Sequence, residues 1–375
     1  MPRALLVFEP PDGGVAENVL RLAEGLPARG FDVTLAGPPE ALPYAELDGS
    51  VPIHRLPFRR GYGDPLADAR ALRSLIGLMR SKRFDIAHVH SAKAGVLGRL
   101  AARATGTPAV YSPHCFPFVG PWGPARKVFS TTVERALGSV SAAIVCVAEQ
   151  ERGVALDRKV ARAERLSVVH NGAPSCEHAT ERDAALDEFA RGGALAATIS
   201  VLRPQKGIHH FIDAAPRVLA AVPDARFAVI GNEVAGLEGM RDELIARAGA
   251  HGLGDRLRFF PFLGPTARQL ASLDLFVLPS DWEAFPISIL EAMACGVPAV
   301  ATAVGGTAEA VVSGETGILC PPGDVGALAE AVASLLGNEA RRRAMGAAAQ
   351  ARHAAEFTLD QMVDGTAAVY RRVLA

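Results

Sequence analysis

The sequence has no long apolar run, few cysteines and no dinucleotide-binding glycine motif. No stretch approaches the ~18 apolar residues of a membrane-spanning helix, and the first apolar run, ALLVF at residues 4–8, is too short for a signal peptide core. The 5 cysteines are scattered and none forms a Cys-x-x-Cys pair, so we expect reduced thiols, a cytoplasmic protein and no metal site. The lack of G-x-G-x-x-G counts against a dinucleotide-dependent dehydrogenase.

The formal net charge of −1 conceals an uneven distribution of charged residues. Residues 1–172 carry more Lys and Arg than Asp and Glu, whereas residues 173–375 carry the opposite excess. A basic first half is consistent with an anionic partner, such as a phosphate-bearing substrate or a membrane surface, and equally with ordinary surface variation. We expect no nucleic-acid partner.

Short apolar strands alternate with amphipathic helices over the 375 residues, a length that suits two domains. Most strand candidates are continuous apolar runs, as expected of parallel strands that are buried on both faces. Their number exceeds one ordinary open sheet, so we predict an α/β protein with two doubly wound, Rossmann-like domains. The strand candidates are residues 4–8, 32–37, 52–56, 85–90, 109–114, 142–148, 167–172, 197–202, 226–231, 257–262, 274–279, 298–302 and 317–320.

The polar stretch at residues 177–195 has no obvious strand, so we place the domain boundary near 173–180. We predict an N-terminal domain of residues 1–175 and a C-terminal domain of residues 176–357. A last helix at about 358–375 should pack back on the first domain. Ligands of such folds bind outside the carboxyl ends of the strands, so we expect the two domains to face a central cleft.

The stretch DWEAFPISILEAMACGVP, residues 281–298, combines a helix start with two carboxylates. Pro286 suits the first position of a helix, and the Cys-Gly-Val-Pro sequence ends it. Glu283 therefore lies in the loop before the helix, and Glu291 lies about 7.5 Å along the helix axis. The free N–H groups at the helix start suit a phosphate, and the carboxylates suit hydroxyl groups, as in a sugar nucleotide. Two solvated surface glutamates are the alternative.

Residues 283–302, EAFPISILEAMACGVPAVAT, closely resemble the signature of family 4 glycosyltransferases of the GT-B fold. The segments VLRPQKGIHHF, FDIAHVHSAKAGVLGRLAARATGTPAVYSPHCF and HNG resemble the same family and follow its order along most of the chain. The resemblance implies a retaining enzyme with a nucleoside diphosphate sugar as donor, UDP- or GDP-linked above all. The implied acceptor is a hydroxyl of a lipid-linked saccharide or other glycan, in cell-surface polysaccharide or glycoconjugate synthesis.

The resemblance also implies roles for the site residues. Arg203 and Lys206 would neutralise the leaving diphosphate, a task that suits their donor groups. Glu283 would hold the hydroxyls of the donor sugar, Glu291 would hold the ribose, and His114 would contact the donor sugar near the reaction centre. The other implied donor-binding residues are Gly13 and Gly14, whose backbone can approach a phosphate closely, and Ala284, Phe285 and Pro286.

The implied mechanism needs no metal and no cofactor beyond the nucleotide-sugar co-substrate. Retaining hydrolases use two carboxyl groups about 5–5.5 Å apart, and the positions of Glu283 and Glu291 suit that arrangement poorly. The resemblance implies instead a front-face attack, in which a donor phosphate oxygen takes the proton of the acceptor. The chain departs from many relatives at Ala284 and in the GNEVAG loop at 231–236, where they carry glycine, and at Ala148, where they often carry serine.

The sequence defines the acceptor side less well. Glu17, His90 and Lys93 are candidates because they lie on the first helix and at a strand end of the first domain. The basic amphipathic segment at 122–137 would rest on an anionic membrane, with an ordinary packed helix as the alternative. Other functions left open are transfer to a small secondary metabolite, a GT-B sugar-nucleotide epimerase and a non-catalytic binding protein.

Overall fold

The computed structural model describes the whole chain except residues 42, 43, 45, 46, 48, 59–63, 177–180, 235 and 263. The chain divides into two compact units. The N-terminal unit consists of Met1–Gly172 together with Leu359–Ala375, and the C-terminal unit is Ala173–Thr358. The predicted boundary region lies partly outside the described residues, at 177–180, and so does residue 235 of the GNEVAG loop.

The N-terminal unit contains a parallel sheet of seven strands in the order β3-β2-β1-β4-β5-β6-β7. The chain first winds outward from β1 to β3 and then returns to the other side of β1 with β4. In such a sheet, the loops that follow β1 and β4 diverge and leave a crevice at the carboxyl ends of these strands. The strands are β1 (Arg3–Phe8), β2 (Asp32–Gly37), β3 (Ile53–Arg55), β4 (Ile86–His90), β5 (Ala109–Ser112), β6 (Ala143–Cys146) and β7 (Leu166–Val168).

The last helix of the chain packs within the N-terminal unit. Its Tyr370 ring meets Phe31 edge to face, with ring centroids 5.3 Å apart, and its Asp364 accepts a 2.9 Å hydrogen bond from Arg29. Apolar side chains of this helix join the core on one face of the sheet. The helices of the unit are α1 (Gly13–Gly25), α2 (Pro65–Lys82), α3 (Ala92–Thr105), α4 (Pro124–Gly138), α5 (Glu149–Asp157) and, from the end of the chain, α14 (Leu359–Leu374).

The C-terminal unit repeats this plan with six parallel strands in the order β10-β9-β8-β11-β12-β13. Its strand order reverses between β8 and β11, so the crevice lies at the carboxyl ends of these two strands. The central strands are apolar throughout because both of their faces are covered. The strands are β8 (Leu195–Ile199), β9 (Arg226–Ile230), β10 (Leu257–Phe260), β11 (Leu275–Leu278), β12 (Ala299–Thr302) and β13 (Gly317–Cys320).

The helices of the C-terminal unit begin at polar caps wherever the sequence offers one. Side chains of Asp183, Asp324 and Asn338 accept hydrogen bonds from free N–H groups in the first turns of α6, α12 and α13. These helices are α6 (Ala184–Ala190), α7 (Ile208–Ala221), α8 (Met240–Ala250), α9 (Thr266–Ala271), α10 (Ile287–Ala294), α11 (Thr307–Ala310), α12 (Val325–Leu336) and α13 (Glu339–Glu356).

Every predicted strand is present, and the two parallel sheets confirm the predicted doubly wound α/β class. Five predictions ran two or more residues too far toward the carboxyl end of a strand, at 109–114, 142–148, 167–172, 197–202 and 257–262. The observed strands stop at Ser112, Cys146, Val168, Ile199 and Phe260. In each case the chain turns away from the sheet at this edge, where apolar composition alone cannot mark the last paired residue.

The prediction that all cysteines are reduced is wrong. Cys176 and Cys295 form a disulfide within the C-terminal unit, and Cys115, Cys146 and Cys320 remain thiols. The two bonded residues lie 119 positions apart and belong to no short motif, so spacing could not reveal the pair. The disulfide ties the start of the unit to the residue that ends α10.

Candidate active site

The loop between β11 and α10 carries the two glutamates of the C-terminal unit. Glu283 lies in the loop and is 9% exposed, and Glu291 lies inside the helix and is partly buried. Pro286 caps the helix with an extended backbone, so the helix begins at Ile287, one residue later than predicted. Phe285 is buried and packs against Phe357 with ring centroids 5.6 Å apart, which anchors the end of the loop.

The carboxylate of Glu283 accepts two hydrogen bonds at one oxygen. Lys206 Nζ lies 2.7 Å from Glu283 Oε1, and Ser280 Oγ donates to the same atom at 2.7 Å. Ser280 is fully buried, and its carbonyl accepts a 2.5 Å hydrogen bond from Thr302 Oγ1 at the end of β12. The position of the carboxylate is therefore fixed by groups at the carboxyl ends of three neighbouring strands, β8, β11 and β12.

Two glycines after β12, Gly305 and Gly306, pack against the backbone of the loop that carries Glu283. A Cβ at Gly305, which has φ of +51°, would stand 2.0 Å from the carbonyl oxygen of Glu283. Gly306 N–H donates to the carbonyl of Ala284 at 2.7 Å. The backbones touch, so a side chain at Gly305 would push the loop of Glu283 out of place.

The loop after β8 brings Arg203 and Lys206 to the same edge of the sheet. Both lie around the short 3₁₀ turn Pro204–Lys206, and both are partly buried. Gly207 follows with φ of +60°, and a Cβ there would stand 1.9 Å from the carbonyl oxygen of Pro279. The loops after β8 and β11 therefore meet in direct backbone contact, at the position where the strand order reverses.

Further hydrogen bonds connect these two loops. Asp281 N–H donates to the carbonyl of Gln205 at 2.9 Å, and Gln205 Nε2 donates to the carbonyl of Trp282 at 2.8 Å. His210, at the start of α7, lies 3.1 Å from Asp281 through its Nε2. The loops that carry the predicted diphosphate residues and the predicted sugar residue are thus joined by several hydrogen bonds.

In the N-terminal unit, Gly13 and Gly14 are the first two residues of α1. Gly13 has φ of +76°, and both residues are exposed. The first turn has no acidic residue, so its N–H groups are compatible with an anion. Glu17 lies one turn further along, and its carboxylate forms an ion pair with Arg21 at 2.6 Å.

His114 was predicted to be the last residue of a strand at 109–114. It lies instead in the turn after β5, two residues beyond the last residue of that strand, Ser112. Its Nε2 is 3.0 Å from Nδ1 of His90, the fully buried last residue of β4, and the two rings stack. Burial lowers the pKa of His114 to about 4 and the pKa of His90 well below its ordinary value. Both imidazoles are therefore neutral at physiological pH.

A second pair of contacts continues from His90 into the core. The ring of His88 lies 4.0 Å from the ring of His90, and His88 bonds to Tyr370 and Ser112 at 2.7 and 2.8 Å. Burial, with a smaller contribution from His114, lowers the pKa of His88 to about 3. The three histidines form a neutral stack that runs from the core to the carboxyl edge of the sheet.

The backbone at this edge is strained. Ser91, His114 and Cys115 all have positive φ, at 72°, 49° and 89°. The buried carboxylate of Glu151 holds the turn by accepting a 2.7 Å hydrogen bond from the N–H of Cys115. Strain of this kind at non-glycine residues is concentrated at functional sites.

Lys93 is buried and pairs with Asp68 of α2 at 3.0 Å. This contact joins α3 to α2 and gives the lysine a structural function that the sequence did not indicate. An acceptor-side role for Lys93, His90 or Glu17 stays a prediction. The residues that sequence reasoning missed are those that support the predicted ones: Ser280, Gly305, Gly306, His88 and Glu151. Among these residues, only the Gly-Gly pair after β12 forms a sequence pattern. That pattern could have indicated that a third loop, besides those after β8 and β11, contributes to the site.

Two family models match the chain. The Glycosyl transferase 4-like domain matches residues 13–172, and Glycosyl transferases group 1 matches residues 185–352. A D-inositol 3-phosphate glycosyltransferase of Mycobacterium sp. (strain KMS) is 31% identical over 313 residues, which are 78% of this chain and 67% of that protein.

The chain belongs to the group 1 glycosyltransferases.

Two further similarities extend this finding. The glycosyltransferase is 28% identical over 303 residues to the UDP-Gal:alpha-D-GlcNAc-diphosphoundecaprenol alpha-1,3-galactosyltransferase of Escherichia coli, which covers 78% of the chain and 77% of the relative. The crystal structure of Anabaena Alr3699/HepE, determined in complex with UDP, has a TM-score of 0.81 and 21% identity over 99% of this chain and 100% of that chain. The structural likeness confirms the predicted GT-B fold.

Family membership makes the protein an enzyme of the hexosyltransferase class that uses nucleoside diphosphate sugars as donors. This outcome argues against the alternative of a non-catalytic binding protein. Among the helices in the described part of the chain, none is both long and apolar enough to cross a membrane.

Proposed function

We propose that this glycosyltransferase moves a hexose from a UDP- or GDP-sugar to a hydroxyl of a lipid-linked saccharide or other glycan, with retention of the anomeric configuration. The observation that carries the donor side is the contact between Lys206 and Glu283, because it joins a cation suited to phosphate to a carboxylate suited to sugar hydroxyls. The lipid-linked acceptor is supported by the similarity to the Escherichia coli enzyme, which is named for transfer to alpha-D-GlcNAc-diphosphoundecaprenol.

In this proposal, each group of the C-terminal unit contacts one part of the donor. Arg203 and Lys206 neutralise the diphosphate, and the free N–H groups at the start of α10 add hydrogen bonds to it. Glu283 accepts hydrogen bonds from the sugar hydroxyls, and Glu291 accepts them from the ribose. The backbone of Ala284, Phe285 and Pro286 lines the site between them.

The reaction breaks the bond between the anomeric carbon and the diphosphate oxygen and forms a bond to the acceptor oxygen on the same face. A phosphate oxygen of the departing diphosphate takes the acceptor proton, so no protein nucleophile and no metal ion are required. Arg203 and Lys206 stabilise the charge that develops on the diphosphate. The protein therefore contributes mainly by position and electrostatics.

The proposed part of His114 is that of a hydrogen-bond donor to the donor sugar. The neutral ring of His90 has its Nε2 buried without a partner among the described residues. A buried N–H without a partner costs more than a bare nitrogen in the same position, which favours the proton on His90 Nδ1. Nε2 of His114 then accepts from His90, and Nδ1 of His114 carries the proton that it donates.

Gly13 and Gly14 are proposed to approach the donor phosphates, with Glu17 on the acceptor side. His90 and Lys93 are buried, so they would influence the acceptor only through His114 and through the packing of α3. A cytoplasmic location remains part of the proposal, together with peripheral contact at the inner face of the membrane.

The surface of α4 supports the membrane contact. Val128 and Phe129 are 67% and 71% exposed, next to the basic Arg126 and Lys127. Exposed apolar side chains beside cations suit an anionic lipid surface. Burying Phe129 in lipid is worth ~1.5–3 kcal/mol, so Phe129→Ser should weaken sedimentation with anionic vesicles by about tenfold. Ile245→Ser, at an exposed apolar residue of the C-terminal unit, is the matched control and should have no effect.

A donor panel tests the proposal as a whole. Nucleoside diphosphate release is measured from UDP-, GDP-, ADP- and dTDP-sugars, with and without a membrane lipid extract. Release from one donor that rises with the extract supports a lipid-linked acceptor, whereas release that the extract leaves unchanged contradicts it in favour of a soluble acceptor. Proton NMR of the product then reads the anomeric configuration, and an inverted product would overturn the proposed mechanism.

A further inference from the structure

Two histidines and an aspartate lie together beside the donor loops. His209 and His210 occupy the first turn of α7, and Asp281 lies in the loop after β11. His210 Nε2 is 3.1 Å from Asp281 Oδ1, and the rings of His209 and His210 lie 3.9 Å apart. One ligand atom from each of the three residues lies within 4.8 Å of the other two.

These distances are close to those of a bound transition metal. Zinc binds imidazole nitrogen and carboxylate oxygen at ~2.0–2.2 Å, so ligand atoms around one tetrahedral ion are about 3.3 Å apart. The pair of His210 and Asp281 already has this spacing. A ring nitrogen of His209 lies within 4.8 Å of the other two ligand atoms, and all three residues are partly exposed, so an ion has access from solvent.

The donor set indicates which ions the cluster would take. Two imidazoles and one carboxylate suit zinc and its neighbours in the first transition series, whereas magnesium and calcium prefer oxygen ligands. Three protein ligands leave a fourth tetrahedral position for water, as in zinc sites that exchange a ligand. No short metal-binding motif marks the cluster in the sequence, because Asp281 lies 71 residues from His210.

We propose that His209, His210 and Asp281 form a binding site for a divalent transition metal of the zinc class. The site bridges the loop after β8 to the loop after β11, the same two loops that carry Lys206 and Glu283. An ion there would hold the two loops together in addition to their hydrogen bonds. It is separate from the transfer chemistry, which needs no metal in the proposed function.

The effect on the donor loops rests on the proposed function, but metal binding itself does not. The test therefore measures binding in the absence of any donor. Protein without a histidine tag is titrated with Zn²⁺ against a chromophoric chelator, and with Co²⁺ while the visible absorption of tetrahedral cobalt is followed. His209→Gln and Asp281→Asn each remove one ligand with little change in volume, and circular dichroism checks that they fold.

His251→Ala provides a matched control. His251 also pairs with an aspartate of this unit, Asp213, at 2.9 Å, and the other oxygen of that carboxylate accepts a 2.6 Å hydrogen bond from Arg247. We expect one Zn²⁺ per chain in the wild type and in His251→Ala. Either ligand variant should bind at least about tenfold more weakly.

Two results would overturn the proposal. One is a wild-type chain that shows no saturable binding of Zn²⁺. The other is a pair of folded ligand variants that bind as tightly as the wild type. Donor turnover that fails while zinc binding persists would affect the proposed function alone, so the two failures can be told apart.

Discussion

Ser280 is the side chain that fixes Glu283 from within the core of its own unit. It is fully buried and donates a 2.7 Å hydrogen bond to the same carboxylate oxygen that Lys206 contacts. A hydrogen bond to a charged group contributes about 1.5–3 kcal/mol, and its loss would let the carboxylate move.

We therefore expect Ser280→Ala to lower kcat/KM for the donor by about tenfold or more with little change in folding. Steady-state release of the nucleoside diphosphate measures this effect. Ser334→Ala, which removes a hydroxyl bonded to a helix carbonyl of α12, is the control and should stay near the wild-type rate. A Ser280→Ala enzyme as active as this control would show that the hydroxyl does not position Glu283.

His88 makes the stability of the N-terminal unit depend on pH. Its pKa is about 3 in the folded protein, because of burial, against an ordinary value of 6.5. The unfolded chain therefore binds more protons below pH 6.5, so the stability present at neutral pH is lost as the pH falls from 6.5 towards 3. The neighbouring His90 and His114 have lowered pKa values and act in the same direction.

Urea unfolding at pH 7.5 and pH 5 tests this expectation. The chain has 2 tryptophans, and Trp122 is the one in the N-terminal unit, so a Trp282→Phe background isolates its signal. The urea concentration at the unfolding midpoint should be clearly lower at pH 5 than at pH 7.5. An N-terminal unit that is equally stable at both would mean that the histidine stack is not buried in its neutral form.

Residues of the site differ in how far the sequence could predict them. Arg203, Lys206, Glu283 and Glu291 belong to short segments with strong local patterns, and the structure brings the first three to one sheet edge. The contact between His90 and His114 joins two strand ends 24 residues apart, and no periodic pattern encodes it. The contacts of Ser280 and Lys93 could not be predicted either, because their partners are set by tertiary packing.

At the level of secondary-structure elements, the C-terminal site depends on the direct contact between the loops after β8 and β11. Gly207 has φ of +60° and no room for a Cβ against the carbonyl of Pro279. Gly207→Ala would cost ~1–2 kcal/mol for the left-handed backbone alone, and the steric clash adds to this. We expect a less stable C-terminal unit and a large loss of donor turnover.

The measurement is urea unfolding followed by Trp282 in a Trp122→Phe background, together with donor turnover. Gly249→Ala is the matched control, because a Cβ there meets no atom within 4 Å and the residue lies within α8. It should be neutral or stabilising by up to ~1 kcal/mol. If Gly207→Ala behaves like this control, the two loops are not in the contact described.

The disulfide between Cys176 and Cys295 closes a loop of 119 residues and ends at the last turn of the helix that carries Glu291. Closing a loop of this length stabilises a folded unit by roughly 2–4 kcal/mol. We expect reduction, or Cys176→Ser, to lower the free energy of unfolding of the C-terminal unit by this amount.

Thiol titration of the denatured chain, purified without reductant, gives the direct count. Three reactive thiols should be found before reduction and all 5 afterwards. Cys320→Ser removes a free cysteine and serves as the control, with two thiols before reduction. Five reactive thiols in the untreated wild type would contradict the disulfide.

Elements were predicted better than their ends. Buried parallel strands are continuous apolar runs, so all of them could be found from composition. The ends of β5, β7 and β8, and the start of α1 at Gly13, depend on where loops leave the sheet. Local composition does not encode that point.

For the molecule as a whole, the two units share one design. Each has a parallel sheet whose strand order reverses. Gly13, Gly14 and His90 of the N-terminal unit, and Arg203, Lys206 and Glu283 of the C-terminal unit, lie at the carboxyl ends of the strands beside that reversal or in the segments that follow them. The fold class followed from strand and helix alternation, whereas the enzyme class needed the motif resemblance and the family match. Without the motifs, the length and the alternation of strands and helices predict only a two-domain α/β protein.

The central claim is that Glu283, held by Lys206 and Ser280, binds the donor sugar for transfer. The most direct test is nucleoside diphosphate release from the preferred donor, in the presence of acceptor extract, by wild type, Glu283→Ala and the control Glu315→Ala, which lies at an exposed loop of the same unit. The account predicts that Glu283→Ala loses at least about tenfold in kcat/KM while keeping its fold, and that Glu315→Ala is unchanged. A folded Glu283→Ala enzyme that turns over at the wild-type rate would contradict it.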